Sequence, residues 1–354
     1  MKERKPGGRG KRKGLQPPIR QRHSCQHSES TPKSIIFVSI NYHSSDLLRE
    51  LLLSISSQRD KNSSLLIVNN SPDDGGLSDL STLENIIILQ AERNLGFGGG
   101  CNLALDYLEK NDPEAVAWLI NPDAKLLPGA IRTVRKILQL TSNPTIYGTR
   151  ILDSDGNMWF DHGRFAKHLG RVNHEPMDPS ANKKEEENDW VQRCDWVSGC
   201  SLIIDLTIFP EVPYFDEHIF LYYEDAELCL RLQRDGVSCY VTKTALVSHR
   251  VSATTGRDPI GKYRHATFGK LYLLHQHGTP WSVAINLFRY CMRAAADWPH
   301  GSHEATGRML GILSYLNWLL GSPSQRSWQD RRSSSNRPGR GTSPAGVIEG
   351  PWNQ

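Results

Sequence analysis

The stretch SIIFVSINYHSSDLLRELLLSISSQRDKNSSLLIV, residues 34–68, decides the fold class. Its first residues, 34–40, are apolar and β-branched, which predicts a buried strand, and residues 65–68 repeat that composition. Leucines recur at helical spacing between the two strands, over residues 47–57. Two strands joined through a helix are typical of parallel pairing, so the stretch predicts a strand–helix–strand unit.

The same alternation continues along the chain. Strands are predicted over residues 86–89 and 115–120, and helices over residues 101–110 and 130–140. This order predicts an α/β fold built on a mostly parallel, Rossmann-like sheet with helices on both faces. The alternation stops after about residue 147, and the second half is predicted to be less regular.

The second half still contains recognisable elements. Residues 225–235 are predicted to form a helix, and residues 237–247 a strand that leads to His249. Aromatic and aliphatic residues over 281–298 and 309–320 are compatible with two further helices. The predicted fold therefore ends in C-terminal helices.

Composition suggests where the domain begins and ends. Residues 1–32 are rich in Lys, Arg, Gly and Pro, residues 322–354 repeat this with added Ser, and both are predicted to be disordered tails. Between them we predict an α/β domain over residues 33–278, whose first half ends near residue 148. A helical extension over residues 279–321 follows.

Charge and cysteine content exclude several classes of protein. The first 22 residues hold nine lysines and arginines against Glu3 alone, so the rest of the chain is mildly acidic and no specific nucleic-acid binding is expected. The seven cysteines are scattered, without CxxC spacing, which argues against a disulfide framework and a structural zinc site. A reducing cytoplasm fits this usage best.

Membrane contact is a separate question. The chain has no run of about 18 apolar residues, the length needed to span a bilayer. Residues 281–298 and 309–320 nevertheless combine apolar side chains with Arg289, Arg293 and Arg308. Such helices either pack on the domain or lie on a membrane surface, and both interpretations stay open.

A glycine-rich segment, residues 93–102, has the sequence Arg-Asn-Leu-Gly-Phe-Gly-Gly-Gly-Cys-Asn between a predicted strand and a predicted helix. Glycines let backbone N–H groups approach an anion, and Arg93 adds positive charge, so the segment suits a diphosphate. It matches neither the dinucleotide fingerprint nor a P-loop, and a plain tight turn is the alternative.

Asp123 follows the predicted strand 115–120, which Pro122 ends. Ligands bind at the carboxyl ends of parallel strands, so this carboxylate could hold Mg²⁺ or Mn²⁺, with phosphate oxygens as further ligands. His249 could add a nitrogen ligand, which favours Mn²⁺. The alternatives are a Pro-Asp turn and a structural histidine.

Asp225 lies between Glu224 and Glu227 at the start of a predicted helix. Crowded like charges raise the pKa of a carboxyl group, which suits a general base, while acids that only stabilise the first helical turn are the alternative. Trp196 and Gly199 could line an acceptor pocket, with the indole stacked on a sugar; a buried tryptophan is the alternative.

Together, residues 34–276 resemble the inverting family 2 glycosyltransferases of the GT-A fold, particularly the rhamnosyltransferase-like branch. The motifs are ordinary one by one, but their joint order is specific. They are residues 38–42, 67–71, 93–98, 121–123, 196–199, 215–225 and 248–249.

The resemblance implies a nucleoside-diphosphate sugar bound across the C-terminal ends of the strands. Asn41 and Asn69 would lie near the nucleotide, and residues 93–102 would face the ribose or diphosphate. The candidate donor-binding residues are Asn41, Asn69, Arg93, Asn94, Gly96, Gly99, Asn102, Trp196 and Gly199.

The resemblance also implies the reacting groups. Asp123 matches the last acid of the family's DxD-like metal motif and His249 its later metal-binding histidine, so Mg²⁺ or Mn²⁺ is the implied cofactor. Asp225 matches the catalytic base, with Glu224 beside it. In this chain the metal motif is Asn-Pro-Asp, which leaves one acid fewer.

The predicted function is inverting transfer of a sugar to a hydroxyl of a polysaccharide or lipid-linked glycan acceptor. Rhamnose from dTDP-rhamnose is the donor that the resemblance favours, although Asn69 stands where many relatives carry an aspartate that reads the base. The expected location is cytoplasmic, peripheral at the inner face of the cytoplasmic membrane if the acceptor is lipid-linked. The alternatives are a nucleotidyltransferase and a catalytically silent sugar- or lipid-binding protein of the same fold.

Overall fold

The computed structural model describes residues 32–140, 142–175, 189–250, 258–321 and 347–349. Apart from residue 32 and residues 347–349, the two predicted tails, residues 1–32 and 322–354, lie outside the described residues.

Four parallel strands form the first part of the central sheet, in the order β3–β2–β1–β4. This confirms the predicted parallel unit and its alternation of strands and helices. The strands are β1 (Ile35–Asn41), β2 (Ser63–Asn69), β3 (Ile86–Gln90) and β4 (Val116–Ile120). The helices around them are α1 (Ser45–Ser56), α2 (Gly96–Asn111) and α3 (Ala130–Leu138).

Beyond β4 the sheet becomes mixed. One strand, β11, runs antiparallel to both β4 and β6, and β12 then pairs parallel with β6. The parallel prediction therefore holds for the first half, and antiparallel strands extend the sheet in the second. The remaining strands are β5 (Ala124–Leu126), β6 (Thr145–Leu152), β7 (Met158–Phe160), β8 (His162–Ala166), β9 (Arg171–Glu175), β10 (Val191–Arg193), β11 (Ser201–Asp205), β12 (Ser238–His249) and β13 (Val347–Glu349).

Four helices follow in the second half. They are α4 (Glu224–Arg234), α5 (Pro259–His277), α6 (Pro280–Asp297) and α7 (His303–Leu320). A small separate core joins α5 to α7 through Leu271, Ile312 and Tyr315. Among the helices that the structure describes, none is long and apolar enough to cross a membrane.

The apolar run of β4 is held in place by a buried tryptophan. Trp118 is fully buried, its ring lies 4.9 Å from the ring of Phe37 on β1, and its Nε1 donates to Ser201 Oγ on β11 at 2.9 Å. A buried indole N–H needs such a partner. The residue therefore joins the parallel and antiparallel halves of the sheet.

Helix α2 begins at Gly96, five residues before the predicted start, because its glycines allow close packing. A Cβ on Gly100 would lie 2.9 Å from Ile40 Cγ2, and a Cβ on Gly98 would lie 3.0 Å from Phe215 Cβ. The glycine-rich segment therefore lies largely inside a helix that packs against the sheet and the loop before α4.

Gly96 itself fixes how α2 meets that loop. Its φ is +75°, and a Cβ there would lie 2.2 Å from the carbonyl oxygen of Phe220. The same oxygen accepts from Phe97 N at 3.1 Å. The start of α2 and the segment leading into α4 are thus joined by a contact that only glycine permits.

Comparing Gly96→Ala with Gly129→Ala distinguishes the energetic cost of disturbing this contact from the cost of backbone strain. Gly129 has φ +80° but open space around its Cβ position, so alanine there should cost only the left-handed backbone energy, about 1 kcal/mol. Gly96→Ala should cost about 1–3 kcal/mol more, since the added methyl group meets a fixed carbonyl. The measurement is the free energy of unfolding in urea, and equal losses in the two variants would contradict the packing argument.

Candidate active site

The carboxyl ends of β1 and β2 carry a buried amide network. Asn41 pairs with Asn69 in the strand register, and Asn41 Nδ2 donates to Asn69 Oδ1 and to Asp74 Oδ2, each at 3.0 Å. Asn69 Nδ2 donates to Gln90 Oε1 at 2.9 Å. Both asparagines are at most 2% exposed, so they form the floor of the sheet edge.

Sequence reasoning missed the half-buried members of this network, Asp74 and Gln90. Asp74 caps the short turn that follows, its Oδ1 accepting from Gly76 N at 3.0 Å. The hydrogen bond from Asn41 holds the pKa of Asp74 below its usual range. The signal in the sequence was the turn-forming run Pro72-Asp73-Asp74-Gly75-Gly76, which places a capping aspartate just after the strand.

Within the glycine-rich segment, two asparagines hold the backbone. Asn94 Oδ1 accepts from Gly96 N at 2.9 Å. Buried Asn102 donates to Phe215 O at 3.0 Å and accepts from Phe215 N at 2.8 Å, so its amide is used to tie α2 to the loop before α4. Gly99 faces Leu95, while Arg93 is exposed and offers its charge at the edge of the segment.

The structure brings Asp123 and His249 together. Asp123 Oδ1 lies 3.0 Å from His249 Nε2, and both side chains are buried. Pairing of β5 with β12 places Ala124 opposite His249, and Arg250 N donates to Asp123 O at 2.9 Å. The two predicted metal ligands, far apart in sequence, are therefore adjacent through strand pairing.

These residues fit a divalent cation only in part. The described residues contain no group of three or more acidic, histidine or cysteine side chains arranged for a metal. One carboxylate and one imidazole would leave most positions to water and phosphate oxygens, an arrangement typical of Mg²⁺ and Mn²⁺ in phosphate-binding sites. His249 Nδ1 is buried and has no hydrogen-bond partner within the described part of the chain, while Nε2 faces the carboxylate of Asp123.

Asp225 lies in the first turn of α4 and is half-buried. Backbone N–H groups hold its carboxylate. Its Oδ2 accepts from Gly199 N at 2.8 Å, and its Oδ1 accepts from Ala226 N at 2.7 Å. Burial raises the pKa of Asp225, and these two hydrogen bonds oppose that rise. A fixed carboxylate with a raised pKa and remaining exposed surface suits a general base.

Its two acidic neighbours lie in different surroundings. Glu224 is 6% exposed, its Oε2 has no hydrogen-bond partner among the described residues, and burial together with the Asp225 charge raises its pKa. Glu227 pairs with Arg231 at 3.1 Å and with His277 at 3.3 Å. The crowding predicted for three acids therefore involves only Glu224 and Asp225, because the charge of Glu227 is paired with the Arg231 guanidinium.

The backbone before α4 is strained and supported from α5. Tyr222 and Tyr223 have φ values of 70° and 71°, a conformation that costs energy for large side chains. Gly269 on α5 allows the approach, since a Cβ there would lie 2.4 Å from Tyr222 O. Helix α5 thereby sets where Asp225 emerges.

The segment at Gly199 and Cys200 joins the two acidic centres. Gly199 N holds Asp225, and Cys200 O accepts from Asn121 N at 3.1 Å, two residues before Asp123. Burial raises the pKa of the Cys200 thiol, and the charges of Asp123 and Asp225 add to that rise. The candidate metal ligand and the candidate base therefore flank one short segment.

Trp196 and Gly199 are both packed against other side chains of the domain. Trp196 is 9% exposed and lies 5.3 Å, between ring centroids, from Phe160. A Cβ on Gly163 would approach the indole to 2.4 Å, so the ring is packed in the domain. The ring of Phe97 packs against Gly199 and would lie 2.9 Å from a Cβ added there.

The chain is similar in sequence to known glycosyltransferases. The family model "Glycosyl transferase family 2" matches residues 34–201. The chain is 25% identical over 267 residues, 70% of its length and 86% of the relative, to the N-acetylglucosaminyl-diphospho-decaprenol L-rhamnosyltransferase of Mycobacterium tuberculosis. It is 24% identical, over 61% of its length and 67% of the relative, to the low-salt glycan biosynthesis hexosyltransferase Agl10 of Haloferax volcanii.

A solved structure shows the same fold. GalNAc-T7, crystallised with UDP, GalNAc and Mn²⁺, superposes with a TM-score of 0.53 at 13% identity, over 70% of this chain. The match spans about half of that protein, 49% of its chain. The likeness supports the GT-A fold.

The variant Glu224→Gln tests whether the buried carboxyl group of Glu224 has a raised pKa, through the pH dependence of the free energy of unfolding. Between the ordinary glutamate pKa and the raised one, the unfolded chain releases a proton that the folded chain retains, so wild-type stability should fall as pH rises. The glutamine variant should lack this fall and be more stable by about 1 kcal/mol or more at about pH 8, with the difference vanishing below about pH 4.

Urea unfolding at a series of pH values measures this difference. Glu211→Gln, at an exposed position, controls for the change in net charge. Parallel stability curves for wild type and Glu224→Gln would contradict a buried carboxyl group with a raised pKa.

Proposed function

This chain is a glycosyltransferase whose residues 34–201 belong to family 2, and on that premise we propose that it transfers a sugar, with inversion, from a nucleoside-diphosphate sugar to an acceptor hydroxyl. The proposed donor is dTDP-rhamnose, and the proposed acceptor is a lipid-linked glycan or a polysaccharide. The relative from Mycobacterium tuberculosis is named as a rhamnosyltransferase acting on a diphospho-decaprenol-linked sugar, which supports rhamnose as the transferred sugar and a lipid-linked acceptor.

The observation that carries the proposal is the placement of two different acidic centres around residues 199–200. One centre is the pair of Asp123 and His249, which suits a cation and a diphosphate. The other is Asp225, fixed by Gly199 N and partly open to solvent. A sugar lying between them would have its leaving group on one side and the attacking hydroxyl on the other, as inversion requires.

Asp225 performs the proton transfer in this proposal. Its carboxylate accepts the proton of the acceptor hydroxyl while that oxygen forms a bond to the anomeric carbon. The bond between the anomeric carbon and the diphosphate oxygen breaks on the opposite face, and the nucleoside diphosphate leaves with the electron pair. Gly199 N keeps the carboxylate oriented towards the acceptor throughout.

Asp123 and His249 are the residues that would hold Mg²⁺ or Mn²⁺. Held there, such a cation would supply positive charge to a diphosphate leaving group. Recognition of the nucleotide is assigned to the sheet edge, where Asp74 and Gln90 are the half-buried members of the network built on Asn41 and Asn69.

Asp225→Asn and Asp123→Ala make separable predictions. Asp225→Asn should lower donor turnover by about 10²-fold or more while leaving donor binding nearly intact, because it removes the base but not the cation site. Asp123→Ala should also weaken donor binding that depends on Mn²⁺. Turnover is measured by release of nucleoside diphosphate, and binding by thermal shift with dTDP- and UDP-sugars, each with and without Mn²⁺.

Asp155→Asn, in an exposed turn, is the matched control and should change neither quantity. Small and equal effects of the two active-site variants would contradict their separate roles. A wild-type protein that binds nucleotide-sugar but leaves it intact with every acceptor would identify a catalytically silent binding protein.

Peripheral membrane contact is proposed for α6, at the inner face of the cytoplasmic membrane. Its exposed apolar side chains include Trp281, Phe288 and Met292, which are 72%, 66% and 55% exposed, and Arg289 and Arg293 lie on the same helix. Apolar residues beside arginines are typical of helices that lie on anionic membrane surfaces.

We expect wild-type protein to float with vesicles that contain anionic lipid. The double variant Phe288→Ser, Met292→Ser should stay with the soluble fraction, because it removes the apolar contact. Leu53→Ser, at a 70% exposed position on α1, is the control and should float as wild type does. Wild-type protein that never floats would contradict membrane contact.

A further inference from the structure

A pocket of about 190 Å³ lies between the β8–β9 hairpin, α5 and α6, away from the residues assigned to the donor. Four basic side chains line it: Arg171, Lys270, Arg289 and Arg293. Asn173 and Tyr290 add polar groups. None of the described residues that line it is acidic. Four positive charges without a carboxylate make the pocket complementary to a multiply charged anion.

Lys270 is the buried member of this set. The residue is 7% exposed, and its ammonium group forms no hydrogen bond or ion pair with any residue that the structure describes. Its contact is with the ring of Tyr223, whose centroid lies 5.3 Å from Nζ. Burial lowers the pKa of Lys270 to about 8. Lys270 lines the pocket, and its ammonium group has no anionic partner among the described residues, so this charge is available to an anionic ligand in the pocket.

Tyr223 connects the pocket to the candidate base. The ring of Tyr223 contacts Lys270, and Tyr223 precedes Asp225 by two positions at the start of α4. Burial raises the pKa of Tyr223, and the charge of Asp225 contributes to that rise. Through the contact of Lys270 with Tyr223, the pocket is therefore linked to the start of α4, where Asp225 lies.

We infer that this pocket binds the diphosphate group of an acceptor in which a sugar is joined to a lipid through diphosphate. The inference rests on the proposed function, in which Asp225 faces the acceptor hydroxyl. With the diphosphate beside Lys270 and the arginines, the sugar ring would extend past Tyr223 and present a hydroxyl to Asp225. The donor diphosphate is assigned elsewhere, to Asp123 and His249, so the two anionic groups do not compete.

This arrangement also sets the direction in which the lipid chain of the acceptor would extend. Arg289 and Arg293 lie on α6, the helix that also exposes Phe288 and Met292. A diphosphate held by these arginines would leave its prenyl chain at the apolar side of α6, towards the membrane. Phosphate, lipid and sugar would thus each meet a surface of matching chemistry.

Two probes that share one sugar test the inference: N-acetylglucosaminyl diphosphate carrying a short prenyl chain, and the octyl glycoside of N-acetylglucosamine. Binding is titrated without donor, and kcat/KM is then measured for each probe with saturating dTDP-rhamnose. The variants are Lys270→Gln and, at exposed positions that should not disturb folding, the double variant Arg289→Gln, Arg293→Gln. The controls are Lys262→Gln and Arg132→Gln, both exposed and outside the pocket.

Wild type should bind the diphosphate probe at least about 10-fold more tightly than the glycoside, and the pocket variants should lose that preference. Their kcat/KM should fall about 10-fold or more with the diphosphate probe and stay within about twofold with the glycoside. Both controls should behave as wild type does, and the KM for the donor should stay unchanged in every variant.

Several results would overturn the inference. Equal losses with both probes would indicate a role in folding or in catalysis, and weakened donor binding would assign the pocket to the donor. Loss of binding to anionic vesicles, with unchanged use of the dissolved diphosphate probe, would assign the arginines to lipid headgroups. Preferential binding of the diphosphate probe without any sugar transfer would instead contradict the proposed function and leave the pocket assignment intact.

Discussion

The hydrogen bond from Gly199 N to Asp225 Oδ2 is the interaction on which the arrangement of the site depends. It attaches the first turn of α4 to the segment that enters β11, whose next residue, Cys200, is bonded to the backbone just before Asp123. Without this contact, the first turn of α4 would lose its link, through residues 199–200, to the backbone that leads to Asp123. The side chain of Phe97 fills the space that glycine leaves at this junction, so packing and hydrogen bonding fix the same position.

Charge is distributed unevenly around this junction, and the distribution suits the proposed transfer. Acidic groups are concentrated where a cation and a proton must be held, at Asp123 and Asp225. Basic groups gather around Lys270, whose ammonium group contacts the ring of Tyr223. In the proposed transfer between two diphosphate-linked substrates, the candidate cation site and the basic pocket would each hold one anionic group. The left-handed backbone at Tyr223 leads directly into α4, where Asp225 lies.

Sequence patterns predicted the regular elements better than the uses of individual side chains. The parallel strands and their connecting helices follow from local periodicity, and the structure confirms them. The start of α2 was predicted too late, because glycine is a poor helix former and only packing against Ile40 and Phe215 rewards it there. The resemblance implied that residues 93–102 face the ribose or diphosphate, and the structure adds that the amide of Asn102 bonds to the backbone of Phe215, a residue far away in the sequence. The boundary proposed at residues 278–279 stays a prediction.

The sequence by itself determined the order of strands and helices, the fold class and the acids worth testing, because these depend on composition and spacing within short stretches. Only the tertiary structure decided which of those acids can act together. Pairing of β5 with β12 brought His249 to Asp123, and the burial of Glu224 separated it in environment from its neighbour Asp225. The basic pocket at Lys270 has no local pattern at all, since its residues come from a hairpin and two helices. Contacts between distant segments, and the water they exclude, are properties of the folded chain and cannot be read from any single stretch of it.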